Sequence, residues 1–244
     1  DLHSTSRRQR QMCIRDSFLA MPVVDNEERM VGIITFDDVL DVIAEENEED
    51  FSKMAAMQPI EDSYFKTSVF THAKKRIGWL LVLMLSATIT GNLLTKYEEA
   101  FQAIPILVSF IPMLMSTGGN CGSQSSTTVI RGLATGEIQF KDFFKAVFKE
   151  FRISLIISVI LAVTNGLRIF IFYKNLQLSI VITLSIIGTV IIAEFIGCAL
   201  PLIAKKVKLD PAIMATPLIS TIVDTCSMLI YFQFATMIFS ELRH

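Results

Sequence analysis

Paired cysteines are missing from this chain of 244 residues. Its four, Cys13, Cys121, Cys198 and Cys226, form no CxxC pair, and the last three lie within or beside apolar stretches, which excludes a disulfide or zinc framework. Histidine is scarcer: His3, His72 and His244 all lie outside those stretches, so a serine nucleophile there would have no histidine base. Charge is absent from long runs. Residues 77–95 and 100–130 carry none, 153–173 only Arg168, 176–204 only Glu194, and 211–240 only Asp224. Bases are nearly absent from one further segment, since 13 of the 24 acids fall between Asp25 and Asp62 against only Arg29 and Lys53. The net charge of −2 thus conceals an acidic arm joined to a near-neutral body. The basic stretch 1–17 is followed by no apolar run of secretory length and does not read as a signal peptide. Its RRQRQMCIRDS looks like translated adapter sequence, and it is set aside as non-native.

What is present is hydrophobic: 52% apolar residues and a mean hydropathy of +0.52. Five uncharged or singly charged stretches each roughly meet the ~20 residues needed to cross ~30 Å of hydrocarbon. A mainly α, polytopic membrane protein with five transmembrane helices is expected. Lys74, Lys75 and Arg76, then Arg131, Lys141, Lys145, Lys149 and Arg152, then Lys205, Lys206 and Lys208 crowd one set of loops, while the opposite side holds only Lys96 and Lys174, plus Arg243 at the end. By the bias of basic residues toward the cytoplasm, the acidic arm is expected inside and the C-terminus outside.

The arm reads as a small α/β piece. Residues 21–24 and 30–35 suit strands around the polar turn 25–29, and Thr35 three residues before Asp38 marks the start of a helix over 36–43. Such a fragment is too small to bury a core alone. An acidic helix over 45–57 is expected next, broken at Gln58-Pro59.

Asp224 carries the functional reading. An acid at the centre of a spanning helix costs about 2.5–3.5 kcal/mol on insertion scales, so such residues face protein or water and mark ion pathways. Helical spacing aligns Thr216, Ser220 and Asp224, with Ser227 a turn further on. The serines either line water or simply bond back to their own helix. The run TGGNCGSQSSTT, residues 117–128, holds three glycines that weaken a helix. Irregular backbone at membrane depth must be covered by protein or line a wet cavity, where its carbonyls and the amides of Asn120 and Gln124 would offer uncharged oxygen ligands. The other reading is a polar helix end at the interface. One carboxylate with carbonyls and amides around a hydrated ion suits Mg²⁺, which keeps several waters, better than Ca²⁺. A symmetric dimer would double the carboxylate. Asp210-Pro-Ala has the pattern of a cap followed by proline.

The segment FIPMLMSTGGNCGSQSSTTVIRGLATGEI (110–138), with LDPA (209–212) and TIVD (221–224), closely resembles the MgtE magnesium transporter/channel family, and PVVD (22–25) and VGIITFDDVLD (31–41) resemble the end of that family's second CBS motif. The resemblance covers residues 18–240. It implies a CBS remnant over 18–44, a connecting helix and linker over 45–76, and an ion-conducting domain over 77–244. It further implies a homodimeric, Mg²⁺-selective channel in the plasma membrane, with lipid and divalent ions as partners and no nucleic acid. By that likeness Asp224 would hold hydrated Mg²⁺ in the pore, with Thr216, Ser220, Gly119, Gly122 and Asn120 around it. Asp38, Asp41, Glu46, Glu49 and Asp50 would bind regulatory Mg²⁺ and close the pore. Clustered carboxylates that repel until divalent cations screen them suit such a switch; a solvated acidic linker is the plainer reading. The family's N-terminal helical domain and first CBS motif have no counterpart in the sequence.

A proton- or sodium-coupled carrier is the nearest competing function, though the inverted repeats that often accompany alternating access are not evident. Aspartyl proteolysis needs two paired acids, and Glu194 is the only other intramembrane acid, with no GxGD around Asp224. No enzyme is expected. Glu194 itself is open to three readings: a second ion or packing site, pairing with Arg168, or contact with water.

Overall fold

A computed structural model describes residues 19–60, 63–97, 102–214, 216–239 and 242; the stretch 1–17, Glu61 and Asp62, and the side chain of Thr216 lie outside the described residues. The chain divides into two units, one ending at Asp50 and one beginning at Phe51.

In the first unit, β1 (Ala20–Val24) pairs antiparallel with β2 (Met30–Thr35), Ala20 opposite Thr35 and Val24 opposite Met30. The turn between them is set by Asp25, whose Oδ1 accepts the amides of Glu27 and Arg29 at 2.8 and 2.9 Å. Helix α1 (Phe36–Met54) starts where expected, with the Thr35 amide donating to Asp38 Oδ2 at 2.7 Å and its hydroxyl donating to the same oxygen. These hydrogen bonds from Thr35 hold the Asp38 carboxyl below its ordinary pKa. The two helices expected over 36–43 and 45–57 are one rod, because nothing between Ile43 and Glu46 breaks a helix. No described residue of this unit is buried, as two short strands and a helix cannot cover one another.

Among its described residues the second unit holds five long helices: α2 (Val69–Lys96), α3 (Ile111–Ala134), α4 (Phe143–Tyr173), α5 (Leu176–Lys206) and α6 (Thr216–Ile238). Four of them, all but α3, are long and apolar enough to cross a membrane. The fifth expected span, α3, has 24 residues, enough for about 36 Å, but its Ser, Thr, Asn and Gln lower its hydropathy. A short 3₁₀ turn, Pro105–Phe110, leads into it. Helices α4 and α5 form a tight hairpin, with Lys174 left-handed (φ 49°) and Asn175 Oδ1 accepting the Leu178 amide at 3.0 Å.

Helix α5 is central, packed against α3, α4 and α6 and burying Val181, Ile182, Ile186, Val190, Ala193 and Cys198. Between membrane helices, close approach of small residues supplies the contact energy that water would otherwise drive. The buried face of α4 follows that rule at four-residue spacing: Ala146, Glu150, Ser154, Ser158, Ala162 and Gly166. Tyr231 fixes α6 to the turn before α3 by donating to the Leu107 carbonyl at 2.9 Å. Helix α2 is different. It buries no residue and packs on α6, through a 2.7 Å bond between the Thr90 and Thr225 hydroxyls and Tyr97 stacked on Phe232.

Candidate functional site

Asp224 lies one turn after Ser220 in α6, half-buried, in the wall of a cavity of about 200 Å³ shared by three helices. Thr90 and Gly91 of α2, Ile111 and Met115 of α3, and Thr221 and Met228 of α6 complete much of that wall. Among the described residues the Asp224 carboxylate has no hydrogen-bond donor or cation as partner. An acid with no partner at this depth is what an ion pathway needs and what a merely structural helix avoids.

The residues expected beside it are only partly brought together. Ser220 faces Gly119: a Cβ on that glycine would lie 3.5 Å from Ser220 Cβ. Gly122 points elsewhere, onto Ile219 of α6 and the Ala193 carbonyl of α5. Ser227 is buried with its hydroxyl on the Val223 carbonyl at 2.7 Å, close to Gly118, and so belongs to helix packing. Thr216 begins α6.

The glycine-rich run overturns one expectation. Residues 117–128 are not irregular but lie inside the continuous helix α3. Thr117, Ser123, Thr127 and Thr128 donate back to the carbonyls four residues earlier at 2.7–2.9 Å, so the Gly119 carbonyl is already engaged by Ser123. The glycines allow neighbouring helices to approach. A Cβ on Gly118 would meet Thr189, Val223 and Ser227 within 2.9 Å, and one on Gly197 of α5 would lie 2.3 Å from the Gly122 carbonyl oxygen. The opposite face of α3 carries Ser116, Asn120, Gln124, Thr127 and Thr128, all exposed. That polar face cannot lie against lipid tails without loss.

The regulatory candidates Asp38, Asp41, Glu46, Glu49 and Asp50 all fall on α1. By spacing, Asp38, Asp41 and Glu49 share one side, with Glu46 and Asp50 about a quarter turn or more away. Among the described residues no three acidic, histidine or cysteine side chains come close enough to hold a metal.

Glu194 proves to be neither wet nor paired with Arg168. It is 2% exposed and lies beside Glu150 of α4, itself 7% exposed, with Ser125 of α3 donating to the Glu194 carbonyl at 3.2 Å. Arg168 instead reaches Met113 Sδ at 3.3 Å in a separate cavity of about 630 Å³. Glu150 escapes a sequence reading because Lys149 and Arg152 flank it; the four-residue stripe of small side chains from Ala146 to Gly166 is the signal that marks it as inward-facing. Two carboxyl groups buried side by side repel each other when both are charged, a repulsion that an amide in place of either one removes. Glu194→Gln and Glu150→Gln should therefore unfold within a few degrees of wild type in detergent, whereas Glu150→Ala, which takes away one of the polar neighbours of Glu194, should cost about 1–3 kcal/mol. Equal losses for Gln and Ala in thermal unfolding would show that polar contact between the two side chains is not what stabilises the pair.

Comparison with known proteins follows the same residues. Residues 111–234, from the start of α3 through most of α6, match the family model of the MgtE divalent cation transporters, and residues 11–45 match a CBS domain, beginning inside the stretch set aside above. Relatives named magnesium transporter MgtE include one from Bacillus subtilis, 38% identical over 91% of this chain and 49% of its own length, and one from Thermus thermophilus, 33% identical over the same shares. A third, from Enterococcus faecalis, is 32% identical over 92% of the chain and 49% of its own. The chain spans about half the length of these curated relatives. It belongs to the MgtE family of divalent cation transporters, a family of transporters rather than enzymes.

Proposed function

We propose that the protein to which this chain belongs conducts Mg²⁺ across the plasma membrane as a homodimeric channel, and that Asp224 holds the ion through its water shell. The observation that carries this reading is the lone carboxylate in mid-helix, turned to a cavity with no partner among the described residues. Ser220 against Gly119, and Asn120 on the open face of α3, supply neutral oxygens on the two family-matched helices. The exposed polar face of α3 supports a pathway closed by a second copy, since either water or protein must cover it. In this reading α3 is the fifth span, the acidic arm is cytoplasmic, as the basic loops favour, and the C-terminus is outside. The acids of α1 then sense internal Mg²⁺, which screens their repulsion and favours closure.

The test is Mg²⁺ influx into vesicles containing the full-length parent protein, with no proton or sodium gradient. Influx driven by the Mg²⁺ gradient and membrane potential alone is expected. Strict dependence on a proton or sodium gradient would replace the channel with a coupled carrier.

A further inference from the structure

We propose that Arg168 and the cavity around it hold the headgroup of an anionic phospholipid at the end of α4. The proposal needs only that α4 spans a membrane, and it stands whether or not Asp224 conducts Mg²⁺. The cavity lies between the 3₁₀ turn before α3 and the last two turns of α4. Its volume, about 630 Å³, is within the roughly 300–1,000 Å³ of small-molecule sites. Helix packing gives the cavity its shape. Helix α5 packs on both α3 and α4, which barely touch each other, so a wedge opens between them. Tyr173 meets Phe110 edge-on across the wedge, 5.5 Å between ring centroids, and gives it a fixed rim.

Arg168 carries the only charge among the described residues that line the wedge. One guanidinium nitrogen donates to Met113 Sδ at 3.3 Å, a weak and uncharged acceptor, and no carboxylate among the described residues pairs with it. A guanidinium presents five donors in a planar fork that matches phosphate oxygens two at a time, so most of its capacity is left for a ligand. The bias of basic residues toward one side of the membrane does not account for this charge. Arg168 stands 16 residues beyond Arg152, about 24 Å along α4 at helical rise, away from the crowded basic loop. The flanks of Arg168 decide which anion can reach it. Leu167 and Ile171 lie to one side and are 57% and 65% exposed, while Ile169 on the other side is buried. Arg168 therefore sits on the border between the packed face of α4 and an apolar face that lipid covers in a membrane. An anion at that border, between acyl chains and water, is a lipid phosphate, and Ser109 offers it a further hydroxyl donor. Lys174, directly after α4, adds a second positive charge to this end of the hairpin. Two cations with no acid between them favour a headgroup of net negative charge over a zwitterion, whose own ammonium they would repel.

The full-length parent protein in detergent is titrated with phosphatidylglycerol or phosphatidylcholine in mixed micelles, with bound lipid read by native mass spectrometry and stability by thermal unfolding. The tightest-held phosphatidylglycerol should bind about tenfold or more tightly than phosphatidylcholine, the worth of a charge-assisted hydrogen bond. Arg168→Gln should erase that preference, and Arg168→Lys should keep part of it, since an ammonium has charge but no fork. Ser109→Trp, which fills the wedge and leaves the charge in place, should erase it too. Phosphatidylglycerol should raise the unfolding midpoint of wild type and not that of Arg168→Gln, while equal midpoints in phosphatidylcholine show that the variant is folded. No preference in wild type, or an undiminished preference in Arg168→Gln, overturns the proposal. Inorganic phosphate alone giving the same midpoint shift as phosphatidylglycerol also overturns it, because the site would then serve a soluble anion. Should Arg168→Gln fail to fold, Ser109→Trp decides: preference retained there places the lipid outside the wedge and overturns the proposal, and preference lost supports it.

Discussion

Asp224→Asn should cut Mg²⁺ influx by about 10- to 150-fold while leaving the fold as stable as before or more so. A hydrogen bond from metal-bound water to a charged carboxylate is worth about 1.5–3 kcal/mol more than nothing, and the amide keeps shape but loses the charge. The charge is expensive, about 2.5–3.5 kcal/mol at the centre of a spanning helix, and Asp224 has no cation among the described residues to offset it. Removing it relieves that cost. Asp224→Ala should lose flux at least as fully and enlarge a cavity already about 200 Å³ in volume. Dye-reported influx into vesicles and thermal unfolding in detergent separate the two effects. Flux undiminished in both variants would remove Asp224 from the ion path.

Asp224 was legible because it interrupts an apolar run, and a carboxylate in such a run has few bland explanations. The start of α1 was legible too, since Thr35 and Asp38 form a local bond that needs nothing from the rest of the chain. Its length was not: residues 36–43 and 45–57 read as separate helices only because the first suits a strand-strand-helix piece and the second is acidic. The glycine run misled for a deeper reason. Propensity describes an isolated segment, where Gly118, Gly119 and Gly122 weaken a helix, but between membrane helices the absence of Cβ is what permits contact. Tertiary packing reversed the sign of the argument. Glu150 was hidden by neighbouring bases that suggest a loop, although its spacing from Ser154 and Ser158 placed it on the packed face.

That reversal gives the sharpest structural prediction. Gly197→Ala should destabilise the protein by about 1–3 kcal/mol or more, the range for overpacking a tight core, because the new methyl would sit 2.3 Å from the Gly122 carbonyl oxygen and 3.0 Å from Ser125 Cβ. The obstacle is backbone, which has no rotamer to change, so α3 and α5 must separate. Separation would carry Gly119 away from Ser220 and lower Mg²⁺ influx as well. Gly78→Ala on α2 is the matched control: a Cβ there meets nothing within 4 Å, and alanine is favoured over glycine in a helix by up to about 1 kcal/mol. It should be neutral or stabilising, with influx unchanged. The same one-carbon change thus has opposite signs on two helices, decided only by what the missing Cβ would have met. Equal thermal stability of the two variants in detergent would refute the packing of α3 on α5 at Gly122 and Gly197.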